Sequence, residues 1–303
     1  MNHPQAPQVN TLIQKPADTP LVDVMNGAGR WEIKVHDHGL IALVDVMPRL
    51  VPEGQTADSA IVQAARVSYG QGTKKVSEDR GLIRYLMRHR HTTPLEMIEF
   101  KFHVVMPIFV ARQWIRHRTA NVNEYSARYS VVPDRFYTPG IEDIRQQSMS
   151  NRQGGEQPVD PMTAQAFLEY LDRCGSAYQE YEKLLEKGVS RELARLGLPV
   201  NIYTEWYWKC DLHNTLHFLS LRMDSHAQKE IRDYAWAMYQ LIQPIVPITA
   251  EAFMDYEFDA VRLTRLEIES LRSGQTLATE NQREKSEWEE KRRRWVCEVF
   301  DPA

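Results

Sequence analysis

A chain of 303 residues with 43% hydrophobic content can bury a real core, as one large domain or two ordinary ones. Its formal net charge of -4 argues against a binder of bulk nucleic acid, because such proteins usually spread positive charge over a whole face. Cys174, Cys210 and Cys297 lie far apart and form no CxxC, which suits a reducing cytoplasm better than a disulfide framework. No apolar run is long enough to span a membrane, and the N-terminus lacks the basic-then-apolar order of a signal peptide. The expectation is a soluble, cytoplasmic protein.

Residues 1–25 carry Pro4, Pro7, Pro16 and Pro20 among Gln and Asn and read as a loose arm. Strands are predicted at Trp31–Val35 and Leu40–Val46, joined by the polar turn His36–Gly39, and helices at Asp58–Val67 and Arg80–His89. From Ile98 to Val104 apolar and polar residues alternate, with Ile98, Phe100, Phe102 and Val104 on one side, as in a half-buried strand. Pro107 then opens a helix over Ile108–Ile115. Residues 146–163, rich in Gln, Ser, Asn and Gly, read as an exposed insertion.

One long amphipathic helix is expected over Ala164–Lys187, stopped by Gly188, and a short one from Ser190 that ends before Pro199. Further helices are expected at Asp211–Leu221 and from Ser225, where Ser225 and Gln228 have capping-box spacing and Ile231, Ala235, Met238 and Ile242 form an apolar stripe. Pro244 and Pro247 would end it. The tail, Arg283–Val299, reads as a charged helix facing solvent or a partner. Strands and helices alternate, so the chain is α/β or α+β.

The stretch Arg112–Tyr129 gathers Arg112, Arg116, Arg118 and Arg128 with His117 and a single acid, Glu124. Crowded guanidinium groups repel and keep their protons, so nothing in fold stability calls for them, and an anionic ligand would resolve the conflict. Gln113 and Arg116 share a helix face; Glu124, Ser126 and Arg128 fall at i, i+2 and i+4 and would point one way if extended. Together with Arg118 they would line one cleft, with arginine forks for phosphate and Gln, Glu and Ser for hydroxyls and base edges.

Arg116-His117-Arg118, seven residues, then Ser126 resembles the RHRx₇S signature of flavin-dependent thymidylate synthases. Three further segments resemble that family in its order: His91-Thr-Thr93-Pro94-Leu-Glu96, Glu192–Thr204, and His217–Ile231 with Arg222, Ser225, His226 and Gln228. The resemblance spans roughly residues 25–260. Arg88-His89-Arg90 is a second RHR, but Ile98 stands where the serine belongs, and its cations suit a helix C-terminus. Met97 replaces a histidine common in the family, residues 139–163 look like an added loop, and the tail beyond about 260 is long.

The resemblance implies an α+β fold: a single catalytic domain over 26–260 with a central, antiparallel-rich sheet flanked by helices, and a charged helical extension over 261–303. It implies a homotetramer whose chains share active sites. The implied reaction is methylation of dUMP to dTMP, with carbon from 5,10-methylenetetrahydrofolate, hydride carried by FAD and supplied by NADPH, and tetrahydrofolate released. The implied FAD set is Thr93, Arg116, His117, Arg118, Glu124, Asp211, His213 and His217; there is no GxGxxG turn, so side-chain cations would replace a helix N-terminus. The implied dUMP set is Gln113, Arg116, Glu124, Ser126, Arg128, Arg195 and Arg222. His91 and His226 would serve folate or NADPH access, or simply support the fold through hydrogen bonds.

Uracil C5 is a poor nucleophile, and no cysteine falls in a matching motif, although Cys210 beside Asp211 stays open. Ser126 lacks a clear neighbouring base, so it reads as a binding residue. Arg222 is the expected activator, stabilising an enolate-like uracil. No metal is expected, since His213 and His217 lack the HExxH glutamate. Two other classes stay open: a nucleic-acid module stacking bases on Trp114, Tyr125 and Tyr129, and a metal-dependent nucleotide hydrolase using His36, His38, His213 and His217.

Overall fold

The alternation at Ile98–Val104 marks the centre of the molecule. In a computed structural model of the chain, which describes residues 30–49, 51, 54–67, 79–148 and 154–293, Glu99–Pro107 forms β3, the middle strand of a five-stranded sheet of order β1-β2-β3-β7-β4. Its other strands are β1 (Trp31–Val35), β2 (Gly39–Met47), β4 (Asn121–Glu124) and β7 (Tyr203–Asp211), and every pairing is antiparallel. The N-terminal arm lies outside the described residues.

Register puts one set of side chains on one face. Phe100 is opposite Cys210, Phe102 opposite Trp208 and Val104 opposite Trp206, and all six are buried. On the same face Ile41 and Leu43 of β2 oppose Val104 and Phe102. The period of two therefore selects which side chains leave water. On the other face Lys101 lies over the Tyr207 ring and His103 bonds Glu205, while Val105 and Tyr203 join a separate buried cluster with Tyr137.

Helices α3 (Ile108–Trp114), α7 (Leu212–Arg222) and α8 (Lys229–Ile242) pack against the strands, and α1 (Asp58–Val67) and α2 (Asp79–Arg88) pack with α9 (Pro247–Phe253). The stripe Ile231, Ala235, Met238 and Ile242 is fully buried, as its spacing predicts. Buried Asp58 accepts from Thr249 Oγ1 at 2.6 Å and from the Ile248 and Thr249 amides, tying α1 to the start of α9.

Several expectations need correction. Pro107 is the last residue of β3 and caps α3 from outside it. The single helix expected over Ala164–Lys187 is two, α4 (Pro161–Gly175) and α5 (Ala177–Glu186). Asp160 caps the first, and at the break Ser176 Oγ donates to the Arg173 carbonyl at 2.6 Å, competing with the helix ladder. Ser225 and Gln228 form no capping box. Asp224 Oδ1 instead takes the His226 amide at 2.8 Å, and α8 starts only at Lys229, with Gln228 as its cap residue. Part of the insertion pairs as a hairpin, β5 (Arg145–Gln147) with β6 (Gly155–Pro158). The short helix after Ser190 is α6 (Arg191–Ala194), continued by one 3-10 turn over Arg195–Gly197.

Contacts divide the chain into two compact units between Phe253 and Met254. In the second, α10 (Arg265–Ser273) begins with a capping box formed by Thr264 and Glu267, and α11 is Gln282–Lys291. The charged tail helix is not wholly solvated. Its Trp288 is buried and donates to Ser270 Oγ at 3.2 Å, while Lys291 pairs with Glu267 at 2.6 Å.

Candidate active site

Two aromatic side chains bring the sequence-predicted residues together. Trp114, at the end of α3, stacks on Phe218 of α7 with ring centroids 4.6 Å apart. The chain leaves α3 directly above α7, and the His117 amide bonds the Trp114 carbonyl at 2.9 Å to fix the turn. His117 then packs edge-on against Phe218 and 6.1 Å from the His217 ring. Arg222 Nε, from the last turn of α7, donates to His117 Nε2 at 3.0 Å. A partner more than a hundred residues away in sequence thus faces the RHR segment.

Burial first, then the neighbouring Arg222 and His217, depress His117 to about 4. The imidazole is neutral at pH 7, accepts through Nε2 and carries its proton on Nδ1. Arg222 keeps its charge, and its terminal nitrogens have no hydrogen-bond partner among the described residues. Arg116 and Arg118 are exposed, and among the described residues no carboxylate pairs with Arg112, Arg116, Arg118, Arg195 or Arg222.

Other members of the predicted set make contacts of their own. Gln113 Nε2 donates to Gln228 Oε1. Glu124, the last residue of β4, accepts from Thr204 Oγ1 at 2.8 Å. The extended run expected through Ser126 and Arg128 stops there, because Tyr129 and Ser130 turn their amides back to the Ser126 carbonyl, at 3.1 Å each. Ser126 and Arg128 consequently do not follow Glu124 on one strand face. Arg128 pairs with Glu192 at 3.3 Å, so for this arginine the ordinary surface ion pair is what the chain forms. No hydrogen bond or ion pair among the described residues joins this group to Arg222.

Thr93 opens the 3-10 turn Thr93–Met97, which packs on β7 and α7 near Asp211. Asp211 caps α7, accepting the Asn214 amide at 2.9 Å and the Asn214 side chain at 2.8 Å. His213 and His217 follow on α7; among the described residues no group of three or more His, Cys, Asp or Glu could hold a metal ion. His36 and His38 lie elsewhere, against Tyr137 and Tyr234 and against Tyr203. His91 is exposed, 5.8 Å from the Tyr85 ring, and His226 is exposed and held by Asp224.

Two candidates for nucleophile lose ground. Cys210 is buried, its Sγ donates to the Thr119 carbonyl at 3.2 Å, and burial foremost pushes the thiol up to about 12, far from a reactive thiolate. Ser126 Oγ accepts from the Arg128 amide at 3.4 Å and has no basic side chain bonded to it. Sequence reasoning missed Glu192, Thr204 and Gln228 as partners of the site residues. No local pattern could have revealed them.

Residues 49–248 match the family model described as thymidylate synthase complementing protein. The chain is 69% identical over 271 residues to a flavin-dependent thymidylate synthase of Dictyostelium discoideum, covering 89% of each protein. The chain belongs to the flavin-dependent thymidylate synthase family. It is an enzyme of that class. The corresponding protein of Gluconobacter oxydans is 52% identical over 279 residues, again 89% of each. Among solved structures, a UMP/dUMP methylase, PolB of Streptomyces cacaoi bound with 5-Br dUMP, superposes with a TM-score of 0.63 at 36% identity, covering 74% of this chain and 98% of PolB. In this member of the family, no helix among the described residues is long and apolar enough to cross a membrane.

Proposed function

We propose that the chain methylates C5 of dUMP to give dTMP: dUMP, 5,10-methylenetetrahydrofolate, NADPH and a proton yield dTMP, tetrahydrofolate and NADP⁺. The enzyme works in the cytoplasm as a homotetramer with active sites shared between chains. The observation that carries this reading is that, among the described residues, Arg112, Arg116, Arg118, Arg195 and Arg222 have no acid partner, with Arg222 bonded to His117. A dianionic nucleotide and a diphosphate cofactor are ligands that such a group is missing. The names of the relatives and the brominated dUMP bound by PolB support the same substrate.

The donor set fits a flavin dinucleotide. Arg116 and Arg118 offer exposed guanidiniums to its diphosphate, with His117, Thr93, Glu124, Asp211, His213 and His217 completing the holding residues. When bound, FAD supplies the hydride that completes the new methyl group. Gln113, Arg116, Glu124, Ser126, Arg128, Arg195 and Arg222 hold dUMP. His91 and His226, both exposed, serve access of folate and NADPH.

Arg222 activates the substrate. His117 occupies its Nε and fixes the guanidinium plane, which leaves the terminal nitrogens to donate to the uracil carbonyl oxygens. Charge held on those atoms shifts electron density to C5, so no covalent thiolate is needed. A preorganised donor of this kind costs little reorganisation as charge develops.

The test is anaerobic. Purified protein is examined for a flavin spectrum, reduced with NADPH and mixed with dUMP and methylenetetrahydrofolate. Flavin reoxidation with dTMP formed is the expected result. Protein that takes up no FAD and forms no dTMP would overturn the reading and bring the nucleic-acid alternative forward.

A further inference from the structure

Gln228 is the one polar side chain seen bonded to Gln113 within the described residues, and no role falls to it above. A primary amide is ambiguous as a reader, since its two ends offer opposite chemistry. Unless something fixes which end faces the ligand, discrimination is lost. Here Gln113 Nε2 donates to Gln228 Oε1, a pairing that leaves Gln113 Oε1 to accept from a hydroxyl or N–H of the ligand.

The mount of Gln228 is unusually well tied for an exposed residue. It immediately precedes α8, and Glu230 in the first turn accepts from Tyr137 Oη at 3.0 Å while its carbonyl faces His36 Nε2 at 3.2 Å. Lys229 pairs with Asp233 at 2.9 Å and with Asp143 at 3.4 Å. On the other side, Arg232 Nη1 donates to the Ser225 carbonyl at 2.7 Å and reaches the Ala227 carbonyl at 3.5 Å. The start of α8 is thus tied to Tyr137, His36 and Asp143, and the loop before Gln228 is tied to α8 through Arg232, so the side chain reaches Gln113 from a fixed base.

We propose that Gln228 is a positioning residue that sets the orientation of the Gln113 amide for recognition of the nucleotide. The assignment rests on the reading of Gln113 as a dUMP ligand. It acts through Gln113, so binding and KM respond while the chemical step does not.

The test measures dUMP binding to the FAD-loaded enzyme by calorimetry, with KM and kcat alongside. Gln228→Met keeps length and removes the acceptor; loss of one neutral hydrogen bond predicts an affinity about three- to tenfold weaker, with kcat nearly unchanged. Gln228→Glu keeps the acceptor and, at high salt where its added charge is screened, binds dUMP more tightly than Gln228→Met. In a Gln113→Met background, Gln228→Met adds no further loss. Wild-type affinity in Gln228→Met, loss in Gln228→Glu as large as in Gln228→Met, or a full additive loss in the double variant would overturn the proposal. Wild-type protein that does not bind dUMP would instead overturn the functional reading, and the positioning role with it.

Discussion

Arg116 and Arg118 on one side, and Arg128 on the other, belong to one basic stretch but live in different electrostatic circumstances. The first two are exposed, in sequence beside a neutral histidine that Arg222 contacts, and no carboxylate among the described residues pairs with them. Arg128 faces Glu192 at 3.3 Å, in an ion pair that is open to water on both partners. The density of cations in sequence locates a site. The pairing of each cation decides how ready it is for an anion. An unpaired arginine meets its ligand without giving anything up, whereas Arg128 must first leave a partner.

The sharpest way to break that distinction is at Arg222. Arg222→Ala should lower the rate of dTMP formation on the order of 10²–10³ while leaving FAD bound, as read in anaerobic single turnovers. Near-normal turnover would leave the reaction standing and remove Arg222 as activator. Arg116→Ala and Arg118→Ala come next. Each removes charge-assisted bonds to a polyanion and should weaken FAD about ten- to a hundredfold in a flavin titration. Equal FAD affinity in both variants would mean that unpaired charge is not what marks the cofactor site.

Much of this was legible in the sequence, for identifiable reasons. The alternation through Phe100, Phe102 and Val104 and the stripe Ile231–Ile242 are periodic over enough residues to fix both element and buried face. Tyr203–Asp211 alternates just as clearly, with Trp206, Trp208 and Cys210 inward, yet it runs without a break into α7. Only Asp211, as the cap, marks where the period changes from two to 3.6, and the sequence reading passes over the strand. The site residues were legible as a set and not as a geometry. Arg128 finds Glu192 across 64 residues, Glu124 finds Thr204 across 80 and Gln113 finds Gln228 across 115. Such pairings are products of the fold, invisible to local spacing. The turn at Ser126–Ser130 likewise overrides an i, i+2, i+4 pattern that an extended chain would have honoured.

Protonation offers a milder perturbation of the unpaired side. His117 is depressed to about 4 by burial and by the neighbouring Arg222 and His217, against about 6.5 in an unfolded chain. Between those values the unfolded state binds more protons than the folded one, so stability falls as pH drops from about 6.5 to about 4, and above 6.5 the effect is flat. A His117→Gln variant, which keeps an acceptor for Arg222, should show a shallower loss of Tm across that window. An unchanged slope would mean that some other group governs the acid side.

The smallest effect is expected on the paired side. Glu192→Gln removes the charge that Arg128 must leave, without removing bulk or hydrogen-bonding capacity. An exposed ion pair contributes little to stability, so Tm should move hardly at all. If Arg128 contacts the phosphate of dUMP, releasing it should tighten dUMP about twofold, and more at low salt than at high salt, because the competing attraction is screened. Weaker binding would reverse the logic. Glu192 would then be holding Arg128 in a reading position, and the pair would be a prearranged part of the site, not a competitor for it.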